Sequence, residues 1–427
     1  MHGTNEVRKV RGPWWARGRA VMVAAALVLA ALPATTAAAG GHRGSTLVVR
    51  QGESIQAAVD RARSGDTIKI QAGTYQEAVC VHRKGLTVVG AGAGRTTISW
   101  PEWNRVSDLP AVPSTPCWTA QEAADAEGDP TTLADDVSGL FFLDPDRPVT
   151  VTGLTTKNHP ANGIATWRAR GFDVHDTASI GHERYGVLAA ASRHISITGN
   201  RERGVVRAAP VLGGTAGISI GDSDRAGAVI RANRVEGFNL GVFFRESRGG
   251  EIVGNTVTGN CVGILVFDDS ATEVPDTRGS VEGGDVTIHK NSSVANNRYC
   301  IAGRNGSQLV SGVGVSVTNA DSVRITRNTI TGNRPVVPSG AAPINYPAGG
   351  LSLVSFSPPP GTSPAGAPDP GLVSHVKVTG NTFADNAPVD IWVTRPIPNT
   401  LLRGTGPGVV IQGNRCTTSD PAGYCGR

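Results

Sequence analysis

A four-residue pattern, an aliphatic residue followed three positions later by Asn, returns seven times along this chain. It stands at Ile197-Thr-Gly-Asn200, Ile230-Arg-Ala-Asn233, Ile252-Val-Gly-Asn255, Ile288-His-Lys-Asn291, Ile325-Thr-Arg-Asn328, Val378-Thr-Gly-Asn381 and Ile411-Gln-Gly-Asn414. In four of these a second Asn follows five residues later, at Asn260, Asn296, Asn333 and Asn386. Between the Asn motifs a Gly opens an alternating apolar stretch, as in Gly163-Ile, Gly186-Val-Leu, Gly217-Ile-Ser-Ile, Gly241-Val-Phe-Phe, Gly263-Ile-Leu-Val, Gly314-Val-Ser-Val and Gly350-Leu-Ser-Leu. The steps from Gly163 to Gly186, Gly217 to Gly241 and Gly241 to Gly263 are 23, 24 and 22 residues. Each unit offers two or three short strands separated by Gly or Asn, where a left-handed backbone is expected. No unit can bury its own apolar face.

Strands this short without crossover helices cannot build a doubly wound sheet, and the missing two-residue turns argue against hairpins. Coils stacked in parallel register solve the problem, because Ile then lies over Ile and Val over Val in one continuous core. The Asn residues become an internal ladder with amides bonded from coil to coil about 4.8 Å apart. Composition agrees: 39% apolar residues plus 55 glycines is globular and excludes a disordered chain.

Residues 54–63 predict an amphipathic helix, with Ser54 as its N-cap, Ile55, Ala58, Val59 and Ala62 on one face, and Ser64-Gly65 at its end. Such a helix would shield the first core layer of an open-ended solenoid. Two stretches break the period, 100–148, which is acidic, and 335–370, which is Pro-rich; both are expected as inserted loops on a single domain spanning 40–427. Residues 1–39 read as a secretory signal: Arg8, Lys9, Arg11, Arg17 and Arg19, then the apolar run Ala20 to Leu32, then a small-residue stretch ending at Ala39. With Glu6 set against those five basic residues, the leader supplies +4 of the formal net charge of +5, so the basic balance gives no support for a nucleic-acid partner. No later segment is apolar enough to span a bilayer, so the mature chain is expected to be secreted, free of the membrane and monomeric. In that oxidising setting the six cysteines imply disulfides, paired by proximity as Cys80 with Cys117, Cys261 with Cys300, and Cys416 with Cys425.

Registering the coils on their glycines places Asp222, Glu246 and Asp268 each five residues after Gly217, Gly241 and Gly263, one above another. Strict alternation would drive all three into the core, which unpaired charges forbid. The chain is therefore expected to turn there, leaving the acids at a solvent-facing corner. Stacked carboxylates repel and need a cation or a guanidinium between them. Oxygen-rich clusters suit Ca²⁺, which makes Asp222, Glu246 and Asp268 candidate metal ligands. Arg245 stands beside them, with Arg225, Arg248 and Asp269 near enough in sequence to contact a substrate. His159, His182 and His194 are expected as solvated polar residues of the preceding coils.

The block Ile55-Gln-Ala-Ala-Val-Asp, followed by Gly65-Asp-Thr-Ile-Lys-Ile and Gly73-Thr-Tyr-Gln-Glu, resembles the right-handed parallel β-helix proteins of the pectin lyase-like superfamily. It looks most like the branch whose repeats are shared by carbohydrate-binding proteins and sugar hydrolases, and the ending Asn414-Arg-Cys416 to Gly423-Tyr-Cys425 looks like that of secreted actinobacterial members. The resemblance implies an all-β, right-handed solenoid. The signatures of pectin methylesterases, polygalacturonases and pectate lyases are absent, apart from Asp268-Asp269. Asp173-Val-His-Asp176 is similar to the Asp-Pro-His-Asp motif of alginate C5-epimerases, which makes His175 and Asp176 candidate substrate contacts.

Two functions follow. One is lyase or epimerase chemistry on an extracellular uronic-acid glycan, with Asp222, Glu246, Asp268 and Arg245 as catalytic candidates in an open groove. The other is a non-catalytic glycan- or cell-wall-binding module or scaffold, with the acids locked in internal Arg pairs.

Overall fold

The structure, a computed structural model, describes residues 44–103, 108–125, 133–205, 215–272, 282–302, 308–358, 360–361, 363–367 and 369–426. The expected leader at 1–39 lies outside the described residues. The described chain winds as a right-handed parallel β-helix in which successive coils add strands to three ladders. Sheet A runs from Thr46–Val49 to Val410–Gln412, sheet B from Gly73–Tyr75 to Thr382–Ala384, and sheet C from Val79–His82 to Ser419–Asp420. Sheets A and C merge through the 14-residue strand Leu240–Val253, which pairs in both.

Like residues stack because each coil repeats the same alternation. In sheet A one inward column reads Ile68, Val88, Val151, Val174, Ile197, Ile230, Ile252, Ile288, Ile325, Val378 and Ile411, each in register with the next. In sheet C, Ile218, Val242, Ile264, Val315 and Leu351 do the same, and all five are fully buried.

The Asn residues form two internal ladders. From Asn200 through Asn233, Asn255, Asn291, Asn328 and Asn381 to Asn414, each backbone N–H and each side-chain Nδ2 donates to the Oδ1 of the next. Asn260, Asn296, Asn333 and Asn386 repeat this at a second corner. The residue before each Asn of the long ladder, from Gly199 to Gly413, is left-handed. The glycines that open the sheet C strands serve another purpose than the expected left-handed turn. A Cβ on Gly163 would lie 2.5 Å from the Gly186 carbonyl oxygen, and on Gly241 2.4 Å from that of Gly263, so they are needed for close coil-to-coil approach.

Helix α1 (Ile55–Arg61) starts at Ser54, whose hydroxyl accepts from the Ala57 N–H, and buries Ile55, Ala58 and Val59 in the main core. A second helix, α2 (Pro116–Asp125), lies in the acidic stretch where no helix was expected. The three disulfides join Cys80 to Cys117, Cys261 to Cys300 and Cys416 to Cys425. No helix among the described residues is long and apolar enough to cross a membrane.

Connection lengths are uneven in a way that picks out one face. The turn from sheet A to sheet B is a residue pair on most coils, such as Gly153-Leu154, Asp176-Thr177 and Gly199-Asn200. Among the described residues, longer connections such as 332–348 before a sheet C strand and 394–409 after one border sheet C.

Candidate functional site

Outward side chains of sheet C form two rows. The first reads Phe141, Ala165, Leu188, Ser219, Phe243, Leu265, Ser316, Ser352 and Trp392; the second reads Leu143, Trp167, Ala190, Gly221, Arg245, Phe267, Thr318 and Val354. Helix α2 covers the early coils, packing Cys117 and Trp118 on Phe141, Ala165 and Leu188. Ile344 and Tyr346 cover the later coils over Phe243, Leu265 and Val313. The Tyr346 hydroxyl lies 2.7 Å from Ser316 Oγ and 2.5 Å from Thr318 Oγ1, and burial pushes its phenol up.

Between these walls the second row is small. Ala190 and Gly221 lie between Trp167 and Arg245, and a Cβ built on Gly221 would meet no atom within 4 Å. Trp167 is half-buried, with its ring edge-on to Phe141 at 5.3 Å. Its Nε1 donor is buried without a hydrogen-bond partner.

Asp222, Glu246 and Asp268 do occupy consecutive coils, following the paired residues Gly221, Arg245 and Phe267. The chain turns there: Asp222 and Glu246 are left-handed, as are Asp144, Arg168, Ala191 and Asn319 at the same corner. The expected solvent-facing corner needs correction, because only Asp222 keeps a substantially exposed side chain (40%), whereas Glu246 is 5% and Asp268 4% exposed. Burial is tolerated because each carboxylate is compensated. Arg245 grips Asp269 with Nε 2.9 Å from Oδ1 and a second nitrogen 3.1 Å from Oδ2, and it also lies 3.5 Å from Asp222 and 3.6 Å from Glu246. Asp268 turns away from that cluster: Oδ1 accepts from the Ser270 N–H (3.0 Å) and hydroxyl (2.6 Å), and Oδ2 from the Gly283 N–H (3.1 Å). Burial nevertheless raises its pKa, against the pull of those donors.

Asp222 and Glu246 both approach Arg245, whereas Asp268 faces the Ser270 and Gly283 donors. The positive charge among them belongs to Arg245, and Asp268 spends its oxygens on loop donors. Among the described residues no group of three or more His, Cys, Asp or Glu is poised to hold a metal ion.

The remaining candidates lie apart. Arg248 bonds Asp321 (2.6 Å), which raises the arginine's pKa further, and Arg225 is exposed beside Asp224 (4.0 Å). His175 ends a sheet A strand and Asp176 opens the turn after it, on a different ladder from Arg245. His175 Nδ1 lies 3.0 Å from Asp176 Oδ2 and 3.1 Å from Thr152 Oγ1. His194 is exposed as expected, but His159 and His182 are fully buried and stacked at 5.4 Å inside the coils. His182 Nδ1 accepts from the His159 N–H, and burial pushes His159 down to about 4, so the His159 ring serves as a neutral packing group. Sequence alternation missed them because they lie at the interior B-to-C corner, the place later coils fill with Phe238, Asn260 and Asn296.

Another acid that the sequence did not single out is Glu202, the inward residue of Arg201–Arg203, in register with Ser179 and Val235. It is 1% exposed, and burial pushes its carboxyl up to about 8. Directly outside it, on sheet B, lies a groove of about 890 Å³, well away from the acidic column.

Residues 147–342, under half of the chain, match the family described as Periplasmic copper-binding protein (NosD). No curated protein matches. Among solved structures the chain is similar to a double mutant of the periplasmic alginate epimerase AlgG, at 15% identity and a TM-score of 0.45 over 87% of this chain and 76% of that one. It is also similar to a variant GH87 α-1,3-glucanase catalytic domain in complex with nigerose, at 13% identity and a TM-score of 0.48 over 91% and 68%. Likeness at these identities concerns the fold alone.

Proposed function

We propose that this chain is an exported β-helix protein that binds an extracellular polysaccharide across the outer face of sheet C, without turning it over. The observation that carries this reading is the row Trp167, Ala190, Gly221 and Arg245 lying between two loop-built walls. The half-buried indole offers apolar surface to a sugar ring, and the small residues beside it leave room for one. Three disulfides support export.

Binding is favoured over lyase or epimerase chemistry because the acids are already engaged. Arg245 is held by Asp269, Asp222 and Glu246, and Asp268 by Ser270 and Gly283. The enzymatic reading keeps one supporting observation, the raised pKa of Asp268, which suits a general acid or base. A panel of polyuronides and neutral glycans separates the two, scored by calorimetry, by absorbance of unsaturated products and by reducing ends. The binding reading expects heat with at least one glycan and no product, with affinity lowered at least tenfold in Trp167→Ala. Product formed by wild type and abolished in Asp268→Asn would replace it with the enzymatic reading.

A further inference from the structure

The groove on sheet B is built differently from the face of sheet C. Its floor is the outward row of the strands Ala178–Ile180, Arg201–Arg203 and Arg234–Glu236. Its rim is the tight A-to-B turn, where Gly92, Gly94, Gly153 and Gly199 keep the wall low and Asp176 stands at the edge. Arg201 and Arg234 are exposed and directly in register on neighbouring strands, a like-charge pair about 4.8 Å apart along the ladder. Like charges directly opposite one another in a sheet repel.

Little in the protein relieves that repulsion. Glu236 is shared, 3.3 Å from Arg234 and 3.8 Å from Arg203, and Arg201 has no carboxylate partner among the described residues. Glu202 lies beneath the arginines but faces the interior, and with its carboxyl held up at about 8 it is protonated at neutral pH and cancels none of their charge. Three guanidinium groups then face two carboxylates, Asp176 and Glu236, in an open trough parallel to the solenoid axis.

We infer that the Arg201, Arg203 and Arg234 trough on sheet B is a second, non-catalytic site that binds an acidic polysaccharide lying along the solenoid. Coil spacing sets Arg201 and Arg234 about one strand separation apart, so two neighbouring carboxylates of the glycan meet that pair, and Arg203, on the strand of Arg201, offers a third contact. Among the described residues the lining contains no aromatic side chain, which disfavours a single-stranded nucleic acid, since such ligands are held by base stacking as well as charge. The site is independent of the sheet C reading, because it shares no residue with it.

Calorimetric titration of an oligogalacturonate of about ten units into Trp167→Ala protein, in which the sheet C face is impaired, isolates this trough. Binding that weakens as NaCl rises, and that falls at least tenfold in Arg201→Gln/Arg234→Gln with an unchanged melting temperature, is the expected result. Arg203→Gln alone should give a smaller loss and serves if the double variant is poorly expressed. Unchanged affinity in the double variant, equal binding of a neutral glucan of the same length, or tighter binding of a single-stranded oligonucleotide of equal charge would each overturn the proposal. Failure here with intact glycan binding in the Trp167 parent protein leaves the sheet C reading standing.

Discussion

Arg245 determines what the acidic column is. Its guanidinium converts what the sequence presents as three stacked charges into a paired corner, and the register that stacks them was legible because the glycine spacing is regular. Their burial was not legible, since it depends on a left-handed corner and on the direction of one long side chain. For Asp268, whose two oxygens accept three hydrogen bonds, Asn cannot accept at both positions. Asp268→Asn should therefore lower stability by about 1–3 kcal/mol in denaturant titration. A stability equal to or above wild type would show that those donors do not hold the loop.

Glu202 supplies a pH test. Its folded pKa of about 8 lies above the ordinary 4.5, so both folded and unfolded chains carry the proton below that lower value and the group adds no pH-dependent cost there. Between the two values the unfolded chain releases its proton and the folded chain keeps it, so stability falls as pH rises, with the loss complete above the folded pKa. The stability of Glu202→Gln should therefore gain on wild type as pH rises from about 5 to 8, read as the difference between their melting temperatures. A constant difference across that range would mean Glu202 is ionised when folded.

At the scale of strands and turns the sequence was most informative, because a ladder multiplies one residue choice by every coil. The alternation after each Gly located Ile264 in the core, fully buried between Val242 and Val315. Ile264→Ala should cost roughly 2–5 kcal/mol because coils fixed above and below cannot close the void. A loss below about 0.5 kcal/mol would contradict the register. What the repeat could not reveal was anything outside it. Helix α2 sits in an acidic stretch with no apolar period of its own and owes its place to Cys117 and Trp118 packing on sheet C, a contact remote in sequence. The sheet C glycines were legible as repeat markers, but their role in close approach appears only once neighbouring coils are in place.

For the whole molecule, function follows from asymmetry between faces of one regular solenoid. The A-to-B turns stay tight because the long Asn ladder pins them, while the edges of sheet C accept long connections that build walls around Trp167, Ala190, Gly221 and Arg245. That floor was partly hidden in the sequence: Arg245 was singled out, whereas Trp167 gained meaning only from its place three strands away in the same row. The most direct test is the affinity of wild type and Trp167→Ala for the glycans of the panel, with melting temperatures measured alongside. The account predicts that wild type binds at least one glycan and that Trp167→Ala weakens it about tenfold or more, with melting shifted by only a few degrees. Equal affinity in the two proteins, or no glycan bound by wild type, would contradict it.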